Sequence, residues 1–259
     1  TLFPYTTRFR SHLPFYVAGG LTLLNWLYGY FVLPESLPLA QRKPFTWAAA
    51  HPVTSLRKLA QLKGVGPLVG VVALSGLAQF VLYTVWVLYN SFKFGWGPRE
   101  NGWSLAAVGI VAVLVQGVLM GRLLKRFAVQ KLLIMGLVSS SLAYILFGSA
   151  TRGWMMYAVI AVNLLGGTVA ASVQSLISSA ADSRSQGETM GAVSALTSLT
   201  AVVAPMLGAP LLAAVSDLPR GDWRMGAPFY FCAVLQLASL GMAVWHLKRH
   251  ARRLRQPAV

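Results

Sequence analysis

The chain alternates long apolar stretches with short charged ones. Seven windows contain no Asp, Glu, Lys or Arg, and each is 20 to 29 residues long: 11–34, 64–92, 101–121, 132–151, 153–181, 189–216 and 225–247. Because an α-helix rises about 1.5 Å per residue, about 20 apolar residues cross the hydrocarbon core of a bilayer. The pattern therefore predicts an all-α integral membrane protein with seven spanning helices, at 13–33, 66–90, 103–121, 132–150, 154–180, 189–215 and 226–247.

The charged residues add an orientation to this picture. Hydrophobic residues make up 56% of the chain, and the formal net charge is +16. The basic residues lie between apolar windows and not along one soluble face, so no nucleic-acid partner is predicted. Beyond the first window, 15 Lys and Arg residues fall in alternate connections and in the C-terminal tail, against five in the opposite connections. The positive-inside rule then predicts a multi-pass protein whose C-terminus is cytoplasmic.

Side chains for covalent or metal chemistry are scarce within the predicted spans. The four His residues lie at or beyond span ends, and the seven windows contain no carboxylate. This excludes the usual nucleophile–base–acid sets and metal sites, so we predict no enzyme activity, no metal and no cofactor. Cys232 is the only cysteine, which we interpret as a small buried apolar residue. A retinal protein would need a Lys within a span, whereas a seven-helix receptor or sensor stays an alternative.

Polar and small residues within the spans are the candidates for a functional site. Polar side chains cost free energy in lipid, so most should face the bundle interior or a wet cavity. The substrate-cavity candidates are Gln79, Gln116, Asn163, Gln174 and Thr197. Hydrogen bonding between helices is the alternative for each of them. Small residues and prolines that we expect to shape close helix packing are Gly166, Gly167, Gly191, Pro205 and Gly208.

Five segments, taken in order, resemble the major facilitator superfamily. They are VLPESL, FGWGPRENGWSLAAVGI, GRLLKRFAVQKLLIMG, ATRGWMM and SQGETMGAVSALTSLTAVVAPMLG. They are most similar to the C-terminal half of tetracycline/proton antiporters and related bacterial drug-efflux pumps, over about Phe15 to Arg249. The resemblance implies two six-helix bundles with a substrate cavity between them and transport by alternating access. On it, the seven predicted spans are family helices six to twelve.

The resemblance also implies a domain organisation and partners. Residues 12–33 would be the last helix of the N-terminal bundle, 34–65 the central cytoplasmic loop, 66–247 the C-terminal six-helix bundle, and 248–259 a basic cytoplasmic tail. The implied function is proton-coupled export of a drug-like small molecule from a bacterial cell through its inner membrane. The implied partners are this substrate, the lipid bilayer and an N-terminal half of the same protein. A sugar or metabolite transporter of the same superfamily is the alternative.

One loop resembles a family signature, and three positions depart from the tetracycline pumps. Gly121, Arg122, Lys125 and Arg126 match in type the C-terminal copy of the signature loop, which implies a gating role. Positive-inside anchoring is the alternative for these residues. Ser140 stands where tetracycline pumps carry an acidic residue, and Asn90 and Ser91 stand where acidic residues can occur. The resemblance therefore does not carry over tetracycline itself as the substrate.

The first eleven residues, TLFPYTTRFRS, resemble something other than protein sequence. A widely used sequencing adapter translates as TLFPYTTLFRS, and one base change converts that Leu codon to the Arg8 codon. Such scars are excluded from reasoning about a fold. We expect residues 1–11 to be an adapter-derived artefact and the natural protein to extend upstream through five further helices.

Overall fold

The chain divides into two compact units, Thr1–Pro44 and Phe45–Val259. The computed structural model describes residues 5–33, 66–181 and 186–255, with side chains in 12–33, 66–181 and 186–249. The first unit contains α1 (Tyr5–Val32). The predicted central loop, 34–65, lies outside the described residues, so its role stays a prediction, as does the origin of residues 1–11.

Helices make up the described part of the second unit. They are α2 (Gly66–Phe94), α3 (Pro98–Arg126), α4 (Val129–Ser149), α5 (Gly153–Val162), α6 (Val169–Ala180), α7 (Gln186–Ala213) and α8 (Ala227–Arg255). A short 3-10 helix, Leu165–Thr168, joins α5 to α6, and another, Trp223–Gly226, precedes α8. All regular structure in the described residues is helical, which confirms the predicted fold class.

Six of the predicted spans have counterparts that are long and apolar enough to cross a membrane. In the described residues these are α2, α3, α4, α7, the segment Trp223–Arg249, and the bent pair of α5 and α6 counted as one span. The helix α1 is not among them, because glycines, tyrosines and Asn25 dilute its apolar residues. Its role as a seventh span stays a prediction.

Two spans differ from the continuous helices that the sequence predicts. The segment predicted at 154–180 is bent by 48° where α5 meets the 3-10 helix. Asn163, Gly166 and Gly167 lie at this bend, and both residue types, Asn and Gly, have low helix propensity. The last span continues as helix into the predicted basic tail, as far as Arg255.

The helix α2 organises the packing of this unit. It lies between α7 and α8; α8 packs in turn on α4, which packs on the bent pair, and α3 packs against α5. At the Phe94 end of α2, Trp86 meets Phe147 edge to face with ring centroids 5.2 Å apart, and Tyr89 meets Phe229 at 4.5 Å. Each such pair adds about 0.5–1.5 kcal/mol to the packing energy of the rings.

A buried lysine ties the end of α2 to the end of α4. The Lys93 side chain is only 7% exposed. Its Nζ donates to the Tyr89 hydroxyl at 2.9 Å and to the Gly148 carbonyl at 3.2 Å. The predicted second span, 66–90, leaves Lys93 in the connection that follows it, but the structure continues α2 to Phe94. A cation is favoured here because Gly148 belongs to the last turn of α4, where the helix dipole is negative.

The same turn of α4 touches the backbone that leads into α8. A Cβ atom built on Gly226 would overlap the carbonyl group of Gly148, and one built on Gly148 would lie 2.6 Å from the Tyr230 ring. Asp222 starts the turn that holds Gly226 in place, because its carboxylate accepts the Arg224 backbone N–H at 2.8 Å. Only glycine fits at both positions of this contact.

The Gly148–Gly226 contact predicts the outcome of a matched pair of substitutions. Gly226→Ala should destabilise the protein by about 1–3 kcal/mol, the usual cost of overpacking. The control, Gly241→Ala in α8, meets no heavy atom within 4 Å, so it should be neutral or stabilising. Thermal unfolding of the two purified variants in detergent measures the difference. Equal unfolding midpoints would show that the two backbones do not touch.

Candidate substrate site

The helix α3 contains a local irregularity near its middle. Residues Leu114–Leu119 form a π-helical turn, in which the Met120 N–H bonds to the Val115 carbonyl. Such turns are rare within helices and frequent at functional sites. Val115 is 1% exposed, whereas the neighbouring Gln116 is exposed. The turn therefore anchors α3 through an apolar side chain and leaves the adjacent neutral amide exposed.

A second irregularity is the bend between α5 and α6. Asn163 ends α5, and its Oδ1 accepts a hydrogen bond from the Ser139 hydroxyl of α4 at 3.0 Å. A Cβ atom on Gly166 would overlap Asn163 Oδ1 and would lie 2.6 Å from Ser140 Oγ. The lack of a side chain at Gly166 therefore allows the Asn163 amide and two α4 serines to gather at the bend.

The two irregular segments are in contact with each other. A Cβ atom on Gly167 would lie 3.1 Å from Val115 Cγ1, so the π-helical turn of α3 packs on the 3-10 helix after α5. Beside them, the Thr168 hydroxyl donates to the Leu165 carbonyl at 2.7 Å. We name these two segments, Leu114–Leu119 and 163–168, the paired breaks.

The paired breaks are the candidate substrate site. Irregular backbone at membrane depth is tolerated only where it is buried in protein or lines a water-filled cavity. Transporters use such interrupted helices to present polar groups to a substrate near the bilayer midplane. The exposed Gln116 and the half-buried Asn163 supply two amides here, and each amide can donate and accept hydrogen bonds.

The other predicted cavity residues lie away from the paired breaks. Gln79 of α2 accepts a 3.5 Å hydrogen bond from the Tyr144 hydroxyl of α4. Thr197 bonds to the Val193 carbonyl within α7 at 2.9 Å. Gln174 of α6 is exposed, with its Nε2 3.7 Å from the sulfur of Met190 in α7. The structure thus places two of the five candidates, Gln116 and Asn163, in segments that contact each other, and distributes the others over α2, α6 and α7.

The residues predicted to shape helix packing also divide into two groups. Gly166 and Gly167 lie at the close approaches described above, and a Cβ atom on Gly208 would lie 3.3 Å from Val81 and Val85 of α2. Gly191 meets no heavy atom within 4 Å, and Pro205 lies within α7 with an exposed side chain. Three of these five positions are therefore contacts between elements of the described bundle.

The signature-loop candidates occupy the end of α3. Gly121, Arg122, Lys125 and Arg126 are all exposed, and a Cβ atom on Gly121 would meet nothing within 4 Å. Lys125 and Arg126 belong to the last turn, where positive charge interacts favourably with the helix dipole. This arrangement suits positive-inside anchoring as well as gating, so the gating role stays a prediction.

Sequence reasoning missed the pairing of the breaks and the serine partners of Asn163. Charge-free windows report the length of a span and not its regularity. A signal was present, since Gly117 follows Gln116 and Gly166–Gly167 follow Asn163, so glycines accompany each amide. For metals, no three His, Cys, Asp or Glu side chains come together in the part of the chain that the structure describes.

A comparison with known families decides the identity of this bundle. Residues 68–258 match the family model of the Major Facilitator Superfamily. The chain belongs to this superfamily. The membership confirms the resemblance found in the sequence, and the bundle of apolar helices is that of a major-facilitator transporter.

Individual relatives of this superfamily member extend the match. The chain is 32% identical to the class C tetracycline resistance protein of Escherichia coli, over 90% of the chain and 58% of that protein. It is 30% identical to the class D tetracycline resistance protein of Salmonella ordonez, over 85% of the chain and 55% of that protein. A rat protein, hippocampus abundant transcript-like protein 1, is 26% identical over 93% of the chain and 51% of its own length. The chain thus spans about half the length of these relatives.

The assignment of the paired breaks as a water-accessible substrate site predicts a pattern of thiol reactivity. A cysteine at exposed Gln116 should react with a charged, water-soluble thiol reagent about tenfold faster than one at buried Val115. The native background should be low, because Cys232 is buried and its thiol bonds to the Ala78 carbonyl. Labelling of Gln116→Cys and Val115→Cys in membranes measures both rates. An unreactive Gln116→Cys would place this side chain against lipid or protein.

Proposed function

We propose that the chain forms the C-terminal part of a proton-coupled drug exporter of the bacterial cell membrane that works by alternating access. The observation that carries the proposal is the continuous match to tetracycline resistance proteins of two classes, over 85 to 90% of the chain. Because the chain covers little more than half of those proteins, the complete activity requires an N-terminal half in addition. On this proposal the chain is a transporter part without enzyme activity.

The paired breaks support a drug-like substrate. A binding cavity for such molecules is mostly apolar, with a few polar groups that fix the orientation of the ligand. Gln116 and Asn163 are neutral, so they can orient a ligand whatever its charge. The same features would suit a sugar or metabolite less well, because such ligands need many polar contacts over most of their surface.

The position of Ser140 supports a substrate other than a tetracycline–metal chelate. Ser140 is 6% exposed, and its Oγ would lie 2.6 Å from a Cβ on Gly166. An acidic side chain here would have to displace the bend. A neutral hydroxyl therefore replaces the carboxylate that the resemblance implies for tetracycline pumps, and we propose a drug that is handled without a metal.

The distribution of acidic residues supports different roles for the two halves of the complete protein. Proton coupling needs an ionisable group whose protonation changes during the cycle, and buried carboxylates serve because desolvation brings their pKa toward neutrality. The seven charge-free windows contain no carboxylate, and Glu100 and Glu188 lie in the first turns of α3 and α7. On this proposal the C-terminal part recognises the drug and the N-terminal half carries the proton.

Drug resistance of a pump-deficient bacterium tests the proposed function. The chain alone should give no resistance, because it brings no proton carrier. A fusion protein supplies the missing half: the N-terminal segment of the class C tetracycline resistance protein, which lies outside the match, is followed by this chain. The fusion should raise resistance to at least one drug. In that fusion, Gln116→Leu and Asn163→Leu should each change export of the drug about threefold to tenfold through a lost hydrogen bond.

The control for these variants is Gln130→Leu, which alters an exposed amide at the start of α4. It should leave export unchanged at equal protein abundance. If Gln116→Leu and Asn163→Leu behave like this control, the two amides are structural. Proton-driven export by the chain alone, measured in vesicles with an imposed pH gradient, would contradict the assignment of proton coupling to the N-terminal half.

The orientation of the bundle has its own test. Fifteen Lys and Arg residues on one side against five on the other support a cytoplasmic C-terminus. A reporter fused after Arg255 should therefore be active only as a cytoplasmic reporter. One inserted at Gly221, between α7 and α8, should be active only as an external reporter. The reverse result would invert the proposed topology.

A further inference from the structure

A surface groove lies between the beginning of α3 and α5, apart from the paired breaks. It has a volume of about 430 Å³ and is open along its length. One end is lined by Arg99 and Glu100, and Trp103 and Tyr157 form its walls. The apolar remainder is lined by Ala106, Ala107 and Ile110. The groove therefore changes from charged through aromatic to apolar along a single face of α3.

The spacing of these residues matches the depth profile of a bilayer. They recur every three or four positions, so they follow one face of the helix, and the run covers about 15 Å along the helix axis. The charged residues lie in the first turn of a spanning helix. Trp103, which is 64% exposed, lies one turn deeper, and Ile110, which is 61% exposed, lies deeper still. Trp and Tyr are enriched at the level of lipid headgroups, and aliphatic side chains below it.

Two interactions fix the charged end of the groove. The Tyr157 hydroxyl donates to the Glu100 backbone carbonyl at 3.0 Å, which holds α5 against α3. The Glu100 carboxylate accepts the Gly97 N–H at 2.9 Å. A carboxylate can accept several hydrogen bonds, so capacity is left for a ligand. Among the described residues Arg99 has no ion-pair partner, and its guanidinium is exposed.

We propose that this groove binds a zwitterionic phospholipid with a primary ammonium headgroup, phosphatidylethanolamine being the representative. Its phosphate pairs with Arg99, its ammonium donates to Glu100, and one acyl chain lies over Ala106, Ala107 and Ile110. The pair of opposite charges selects this headgroup by complementarity. An anionic headgroup would be repelled by Glu100, and a quaternary ammonium has no N–H to donate. The site is independent of drug transport.

Native mass spectrometry of the full chain, released from detergent micelles, tests this site by lipid titration. Wild type should retain phosphatidylethanolamine more tightly than phosphatidylcholine or phosphatidylglycerol. Glu100→Gln should weaken phosphatidylethanolamine binding about fivefold and leave phosphatidylglycerol binding unchanged or stronger. Arg99→Gln should weaken both lipids. Trp103→Leu should weaken binding of all three lipids.

Matched controls distinguish the groove from general lipid adhesion. Trp154→Leu removes an indole that is 63% exposed and lies outside the groove, and Arg152→Gln removes an exposed guanidinium beside it. Both should bind the lipids as wild type does. Glu100→Gln keeps a side-chain oxygen for the Gly97 N–H, so α3 should still start correctly, and Arg99→Gln does not touch this cap. The same weakening in controls and groove variants, or equal retention of all three lipids by wild type, would overturn the proposal.

Discussion

The Gly148 carbonyl group is the point on which the packing of the bundle depends. The last carbonyls of a helix have no partner within it, and such a group costs free energy when it is buried without a hydrogen bond. Here the ammonium of Lys93, carried by another helix, bonds to this carbonyl, while Gly226 packs directly on the backbone that bears it. One group therefore joins the ends of α2 and α4 to the start of α8.

This junction explains the order of packing around it. Beneath the Lys93 contact, Trp86 meets Phe147 and Tyr89 meets Phe229 edge to face, and the two phenylalanine rings pack at a tilt, so apolar packing shields the contact from water. With α2, α4 and α8 fixed in this way, α4 presents Ser139 and Ser140 to the bend between α5 and α6. The geometry of the candidate site thus rests on a contact formed near one end of the bundle.

Local sequence patterns predict the features that depend on helix length and charge. Six predicted spans coincide with helical segments, because roughly 20 apolar residues can cross a bilayer only as a helix, although the third and last helices extend five to eight residues beyond the predicted ends. Lys93 was misplaced because a charge normally ends a span; its burial depends on a carbonyl 55 residues later, which no local pattern reveals. The pairing of the breaks was missed for the same reason, because the contact of Val115 with Gly167 joins distant parts of the chain. Asn163 and Gln116 were found as polar residues in spans, but their neighbours were not.

The irregular segments offer, on the proposed function, a source of specificity in spans that contain almost no charged side chains. A regular spanning helix bonds its own backbone and offers a ligand only side chains. The π-helical turn and the bend change this locally, but each would be costly in lipid unless protein covered it. They cover one another, through Val115 on one side and the bare Gly167 on the other. Mutual packing of two irregular segments therefore allows both to persist, and it leaves the Gln116 amide exposed. On the proposed function, selection for a different ligand can then act on Gln116 without disturbing Val115, because the first side chain is exposed and the second is buried.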